Sequence, residues 1–402
     1  MITCILIGFC FIPMVFHIMG YPTNLVLAVG SMGAMTEIGR RGLMPRLLHC
    51  WPAYAGTAAW ILLNMYWGFP SEDNLFSSKW AILACSYAIP AGYLVHQYSR
   101  TGGERWAIFA YACLCAGLAL MLLYIIRVGN VTIQVQTENG LVGRSAENDN
   151  GISYLRFFQI SNVMMNSISF TIFGFSLPVL AFMRVRWPSL AVVAVAYGLC
   201  MIGLQRLLTR SAFVAGTLAC IITFFLVMRK EGGYLTRRRR FLVIALVAAA
   251  AVVAGGALLS IPEFSILLDR ISQSGDDSRQ VLWREAWDNI LNKPWGGGTY
   301  NMVTGGWAHN IILDFALYNG FLGAVCMTLV FSLAWFRCWQ LSQRKKAMDS
   351  PLTVAMITVL LAITIVEMFT PPFYGLILFV YIFIGYSSSW LDEDKRTLKQ
   401  TI

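Results

Sequence analysis

The chain reads as an all-α integral membrane protein of about twelve transmembrane helices, with one large outer loop between helices nine and ten. Three observations predict this. Hydrophobic residues make up 57% of the 402 positions and charged residues only 12%. Apolar runs repeatedly exceed the roughly 18 residues that suggest a membrane span. Lysine and arginine crowd into alternate short loops, as the positive-inside rule requires.

The spans fall near 1–19, 22–38, 46–68, 79–97, 105–126, 158–183, 188–206, 210–228, 241–260, 309–336, 351–369 and 373–390. The opening run ITCILIGFCFIPMVF has no basic leader and no small-residue cleavage site, so it is expected to be a retained helix and not a signal peptide. The stretch 188–228 is too long for one span and is broken at QRLLTRS, which makes it two. Twenty of the thirty basic residues sit in one set of loops, from Arg40, Arg41 and Arg46 to Lys395, Arg396 and Lys399. That set is cytoplasmic, which puts both termini inside and the loops near 127–157 and 261–308 outside. No internal repeat appears, and residues 1–402 read as a single polytopic membrane domain.

The net charge of +10 is spread through topogenic loops, so it points to membrane lipids and not to nucleic acid. The ten cysteines all lie in or at the ends of apolar runs, with no CxxC, and read as small packing residues.

The outer face carries the residues that topology does not explain. Arg206 and Arg210, in QRLLTRSA, are one helical turn apart. They can snorkel to headgroups or grip a phosphate through their planar forks. In the loop 261–308, SRQVLWREAWDNILN has helical periodicity, with Asp276, Asp277 or Ser278 available as a cap and Pro294 beyond its end. Leu282, Trp283, Ala286, Trp287 and Ile290 form one face of this amphipathic helix. Arg284, Glu285 and Asp288 lie opposite, with Arg284 and Asp288 spaced to pair. Arg279 is the exception, a charge one turn before Trp283 on the apolar face, whereas Arg284 reads as solvated. The run PWGGGTYNMVTGG that follows can be a flexible linker or can bring backbone N–H groups to an anion.

His309 comes next, at the expected start of the tenth helix, where the helix dipole favours a neutral imidazole able to accept a proton. Asn310 and Asp314 are candidates to orient a ring or a substrate, although Asp314 can equally be a polar spot on the helix. Glu367 sits inside the eleventh span, where a carboxylate is costly and often functional, or else a protonated packing group.

Three of these elements together resemble the bacterial O-antigen ligase and polymerase superfamily. They are LTRSAFVAG with Arg210, SRQVLW…KPWGGG with Arg279, and AHNIILDFALYNGFLG with His309, Asn310, Gly320 and Gly323. The resemblance is specific from about Arg206 to Gly323. It implies a C-type glycosyltransferase-like bundle in the bacterial inner membrane, with a periplasmic active site and metal-independent, inverting chemistry without a cofactor. An undecaprenyl-diphosphate-linked glycan would be the donor and lipid A–core the acceptor. His309 would be catalytic and Arg210 and Arg279 would bind diphosphate, with Arg206, Arg284, Asn310 and Asp314 as possible support. The outer face has no DxD to hold a divalent metal.

Ligase and polymerase share these motifs. The twelve-helix count with the loop between helices nine and ten resembles the ligase, and that reading is preferred. A flippase or transporter of lipid-linked sugars would instead show polar residues along a mid-membrane path and inverted repeats. The unusual residues here concentrate on one side.

Overall fold

The computed structural model describes residues 22–68, 81–100, 104–128, 131–133, 144–146, 172–181, 191–200, 210–229, 278–296, 308, 310–369 and 374–401. The expected spans 1–19 and 241–260 lie outside the described residues. The principal helices are α1 (Pro22–Arg40), α2 (Trp51–Gly68), α3 (Ile89–Tyr98), α4 (Glu104–Val128), α5 (Arg210–Arg229), α6 (Ser278–Asn292), α7 (Ile311–Ser342), α8 (Pro351–Glu367) and α9 (Tyr374–Thr401).

Helix α8 begins at Pro351, where the expected eleventh span begins, and α1, α4, α5 and α9 cover described parts of the expected spans 22–38, 105–126, 210–228 and 373–390. Helix α2 begins later than expected, because a short helix with Pro45 in its first turn and a 3-10 turn at Leu48–Cys50 occupy its start. The described part of the expected span 158–183 is a 3-10 turn, Ile172–Ser176, followed by a short helix, Leu177–Ala181. Among the described residues, a two-stranded antiparallel ribbon stands between the helices. In it Val131–Ile133 pairs with Arg144–Ala146, with Thr132 opposite Ser145, within the expected outer loop 127–157.

Among the described residues, α7 is the one helix long and apolar enough to cross a membrane by length and composition, and shorter apolar helices include α8 and Ala191–Cys200. Along α7, Leu322, Val325 and Leu329 recur at helical spacing and stay exposed. Such an apolar outward face is consistent with lipid contact.

The chain divides into two compact units. The first contains residues 1–111, 277–347 and 363–402, and the second 112–276 and 348–362. In the first unit, α3 and α9 approach so closely that a Cβ on Gly92 would collide with the Ile382 carbonyl, and one on Gly385 with that of Ile89. Glycine is required here because any side chain would force the two backbones apart. Helix α7 lies against α2, with Trp60 edge-on to Phe315 at 5.0 Å between ring centroids. Thr57, fully buried, donates to the Ala53 carbonyl of its own helix at 2.7 Å and shares a hydroxyl–hydroxyl hydrogen bond with Tyr381 on α9 at 2.9 Å. In the second unit, Gly174 leaves room for Cys200 and Gly216 for the ring of Phe175.

Candidate functional site

Helix α6 is built as its periodicity predicts. Ala286 and Ile290 are buried in a cluster with Ala308, Ala316, Leu317 and Ala324, flanked by Leu282, Trp283, Ile312 and Leu313. Arg284 and Asp288 are exposed on the other side. Despite their spacing they form no ion pair, consistent with the small gain available to exposed pairs. Trp287 is about half exposed, more than its place on the apolar face suggests, and its ring meets Phe321 edge-on at 6.1 Å.

The turn after α6 locks into a break in α7. Gly320 has φ 67° and ψ −171°, so α7 is two helical segments joined at a non-helical residue. The Phe321 N–H, which a helix break deprives of its usual acceptor, donates to the Pro294 carbonyl at 2.9 Å. Gly296 faces the break with φ 100°, and a Cβ there would lie 2.7 Å from Gly320 N and from Tyr318 O. A Cβ on Gly320 would in turn collide with the backbone of Trp295. Both glycines are needed twice over, for positive φ and for backbone contact.

This joint sets the register of the two helices. Pro294–Gly296, past the C-terminal end of α6, meets Tyr318–Phe321. Trp283, nearer its N-terminal end, packs at 6.3 Å against Phe369. Met368, the neighbour of Phe369, accepts from the Asn310 side chain at 3.3 Å. Helices α6 and α7 therefore run side by side in the same direction. The first turn of α6, which carries the backbone of Arg279, lies at the Asn310 end of α7.

That end is held by two polar side chains. Asn310 is the N-cap, with φ −148° and ψ 118°. Its Oδ1 accepts from Ile312 N at 3.0 Å and Leu313 N at 3.2 Å, satisfying first-turn donors that lack helical partners. Asp314 is fully buried. Its Oδ1 accepts from Ala308 N at 2.7 Å and its Oδ2 from Asn310 N at 3.1 Å. These are the two amides that flank position 309 in the chain. Asp314 thus does more than fill a polar spot on the helix. Its carboxylate clamps the backbone on both sides of the candidate base.

The helix begins at Ile311, two residues later than hydropathy suggests, so position 309 precedes the cap. Among the predicted site residues, His309 and Arg206 lie outside the described residues, as do the side chains of Arg210 and Arg279. The backbone of Arg210 is the first residue of α5 in the second unit. Arg279, Arg284, Asn310 and Asp314 share the first unit. Glu367 is fully buried at the end of α8, directly before the Met368 carbonyl that anchors Asn310.

Three participants escaped the sequence reading: the Gly296–Gly320 contact, the Met368 carbonyl and the Trp283 indole N–H, which is sealed from solvent without a partner among the described residues. The two glycines did stand in the motifs, but as separate signals. A backbone carbonyl leaves no mark in composition.

Residues 194–328, about one third of the chain, match the family model described as O-antigen ligase. The match spans all three motifs and includes Arg210, Arg279 and His309. No curated protein matches the chain.

Proposed function

We propose that this chain is an O-antigen ligase of the bacterial inner membrane. It transfers a glycan from undecaprenyl diphosphate to a lipid A–core acceptor on the periplasmic face. The observation that carries the reading is the parallel seating of α6 on α7, which brings the Arg279 turn to the end of α7 where Asp314 and Asn310 hold the backbone around position 309. The O-antigen ligase match over the same residues supports it.

In the proposed reaction His309 takes the proton of the acceptor hydroxyl. The freed oxygen attacks the anomeric carbon, the bond from that carbon to the diphosphate oxygen breaks, and configuration inverts. Undecaprenyl diphosphate leaves with the bonding electrons, its charge countered by Arg210 and Arg279. Such electrostatic stabilisation is usually the largest catalytic contribution, and the guanidinium fork suits a diphosphate better than an ammonium does.

The test is to delete the gene in its host and complement with variants, reading lipopolysaccharide on a gel. Loss of ligase leaves bare core and accumulated lipid-linked polymer, whereas loss of a polymerase leaves core capped by a single repeat. His309→Ala should behave as the deletion, since proton transfer is worth roughly 10²–10⁴-fold. Full-length lipopolysaccharide from that variant would refute the mechanism. Arg279→Lys should fail as well.

A further inference from the structure

A second charged site lies at the other end of α7, up to roughly 40 Å from Asn310 at about 1.5 Å per residue. Arg337 reaches from α7 to the Leu48–Cys50 turn. Its Nη2 donates to the His49 carbonyl and its Nη1 to the Gln340 side chain, both at 3.4 Å. Its Nε is sealed from solvent and has no partner among the described residues. The acid in its neighbourhood, Asp392, is already engaged. One carboxylate oxygen is 2.9 Å from His49 Nδ1 and the other accepts from Tyr93 at 3.1 Å. Among the described residues, Arg337 is therefore half-buried, charged and hydrogen-bonded to neutral groups alone. Arg344 adds a second positive charge, and burial together with the Arg337 charge pushes its pKa below the usual arginine value. The half-buried Arg337 guanidinium, beside a like charge and with no anion in contact among the described residues, is an expensive arrangement unless an anion joins it.

The surroundings indicate what kind of anion. Leu48 and Trp51, on either side of His49 and Cys50, are 67% and 65% exposed. Phe336 and Trp339, which flank Arg337 on α7, are 51% and 58% exposed and stack at 5.9 Å. A soluble phosphate has no use for apolar walls, whereas a phospholipid needs them for its chains. Basic notches edged by aromatic residues at the cytoplasmic membrane surface suit anionic headgroups.

We propose that the notch between α7 and the Leu48–Cys50 turn binds the phosphodiester headgroup of an anionic phospholipid. Arg337 and Arg344 hold the phosphate, and the acyl chains lie along Leu48, Trp51, Phe336 and Trp339. The inference is independent of the glycosyl-transfer reading.

The experiment is thermal unfolding of the full-length protein in a neutral detergent, with added phosphatidylglycerol or phosphatidylcholine. Phosphatidylglycerol should raise the midpoint by about 3 °C more than phosphatidylcholine does. Arg337→Gln and Arg344→Gln should each remove most of that difference. Equal shifts from the two lipids overturn the proposal, and so does a full difference retained in both variants. If Arg337→Gln loses its cooperative transition, Arg344→Gln decides alone, and a retained difference overturns the proposal. Inorganic phosphate that reproduces the whole shift also overturns it, in favour of a soluble anion.

Discussion

Two helix contacts in the first unit depend on glycine, and they use it in opposite ways. Where α3 meets α9, Gly92 and Gly385 sit inside intact helices and simply remove bulk, so that backbones touch. Where α6 meets α7, Gly296 and Gly320 take positive φ, the helix breaks, and the backbone of one segment enters the gap in the other. The first contact is packing and holds the bundle together. The second is a joint that sets the register of two helices and, through it, the distance between the Arg279 turn and the Asn310 end of α7. Glycine in one case serves stability, and in the other it serves placement.

The largest effect should come from the packing contact. Gly385→Ala puts a methyl into the Ile89 carbonyl and can be accommodated only by separating α3 from α9. A cost of about 3 kcal/mol is expected, seen as a large drop in melting temperature in detergent and in the amount of folded protein. Gly320→Ala should be milder for the fold but harsher for function. The conformation of Gly320, φ 67° with ψ −171°, is essentially restricted to glycine and costs alanine about 1–3 kcal/mol, and the new methyl expels the Pro294–Gly296 turn. Transfer activity should fall far more than the melting temperature. If Gly385→Ala and Gly320→Ala lower activity in the same proportion to stability, the contrast between packing and joint is wrong.

Asp314→Asn sharpens the same contrast from the site side. The amide can accept from one of the two backbone N–H groups but turns a donor toward the other. About 1.5 kcal/mol of stability should be lost. Lipopolysaccharide of the complemented strain should revert largely to bare core, and wild-type lipopolysaccharide would mean that the clamp does not position the site. Arg284→Ala, on the exposed face of α6, should change stability by less than about 0.5 kcal/mol and leave lipopolysaccharide intact. A marked loss of ligation in that variant would move the site to the outer face of the helix.

Much of the helical order was legible because it is local. The apolar face of α6 follows from Ala286 and Ile290 recurring at helical spacing, and the start of α8 follows from the edge of an apolar run. The 3-10 start of the Ile172–Ala181 segment was not legible, because an apolar run of that kind does not distinguish one helical winding from another. The ribbon at Val131–Ile133 was missed although VTIQVQ alternates apolar and polar residues, the period of a strand.

The chemistry-bearing residue types and their motif order were determined by the sequence itself, as was the division of α6 into a buried and a solvated face, since residue identity and a 3.6-residue period suffice for both. Tertiary structure alone decided that Pro294 would satisfy Phe321 across the break at Gly320, that α6 and α7 would run in one direction, and that Asp314 would spend its carboxylate on the amides of Ala308 and Asn310. The physical reason is that these are pairings of backbone groups. Backbone N–H and C=O are the same at nearly every residue, so the chain cannot announce which two will meet until packing has closed the distance between them.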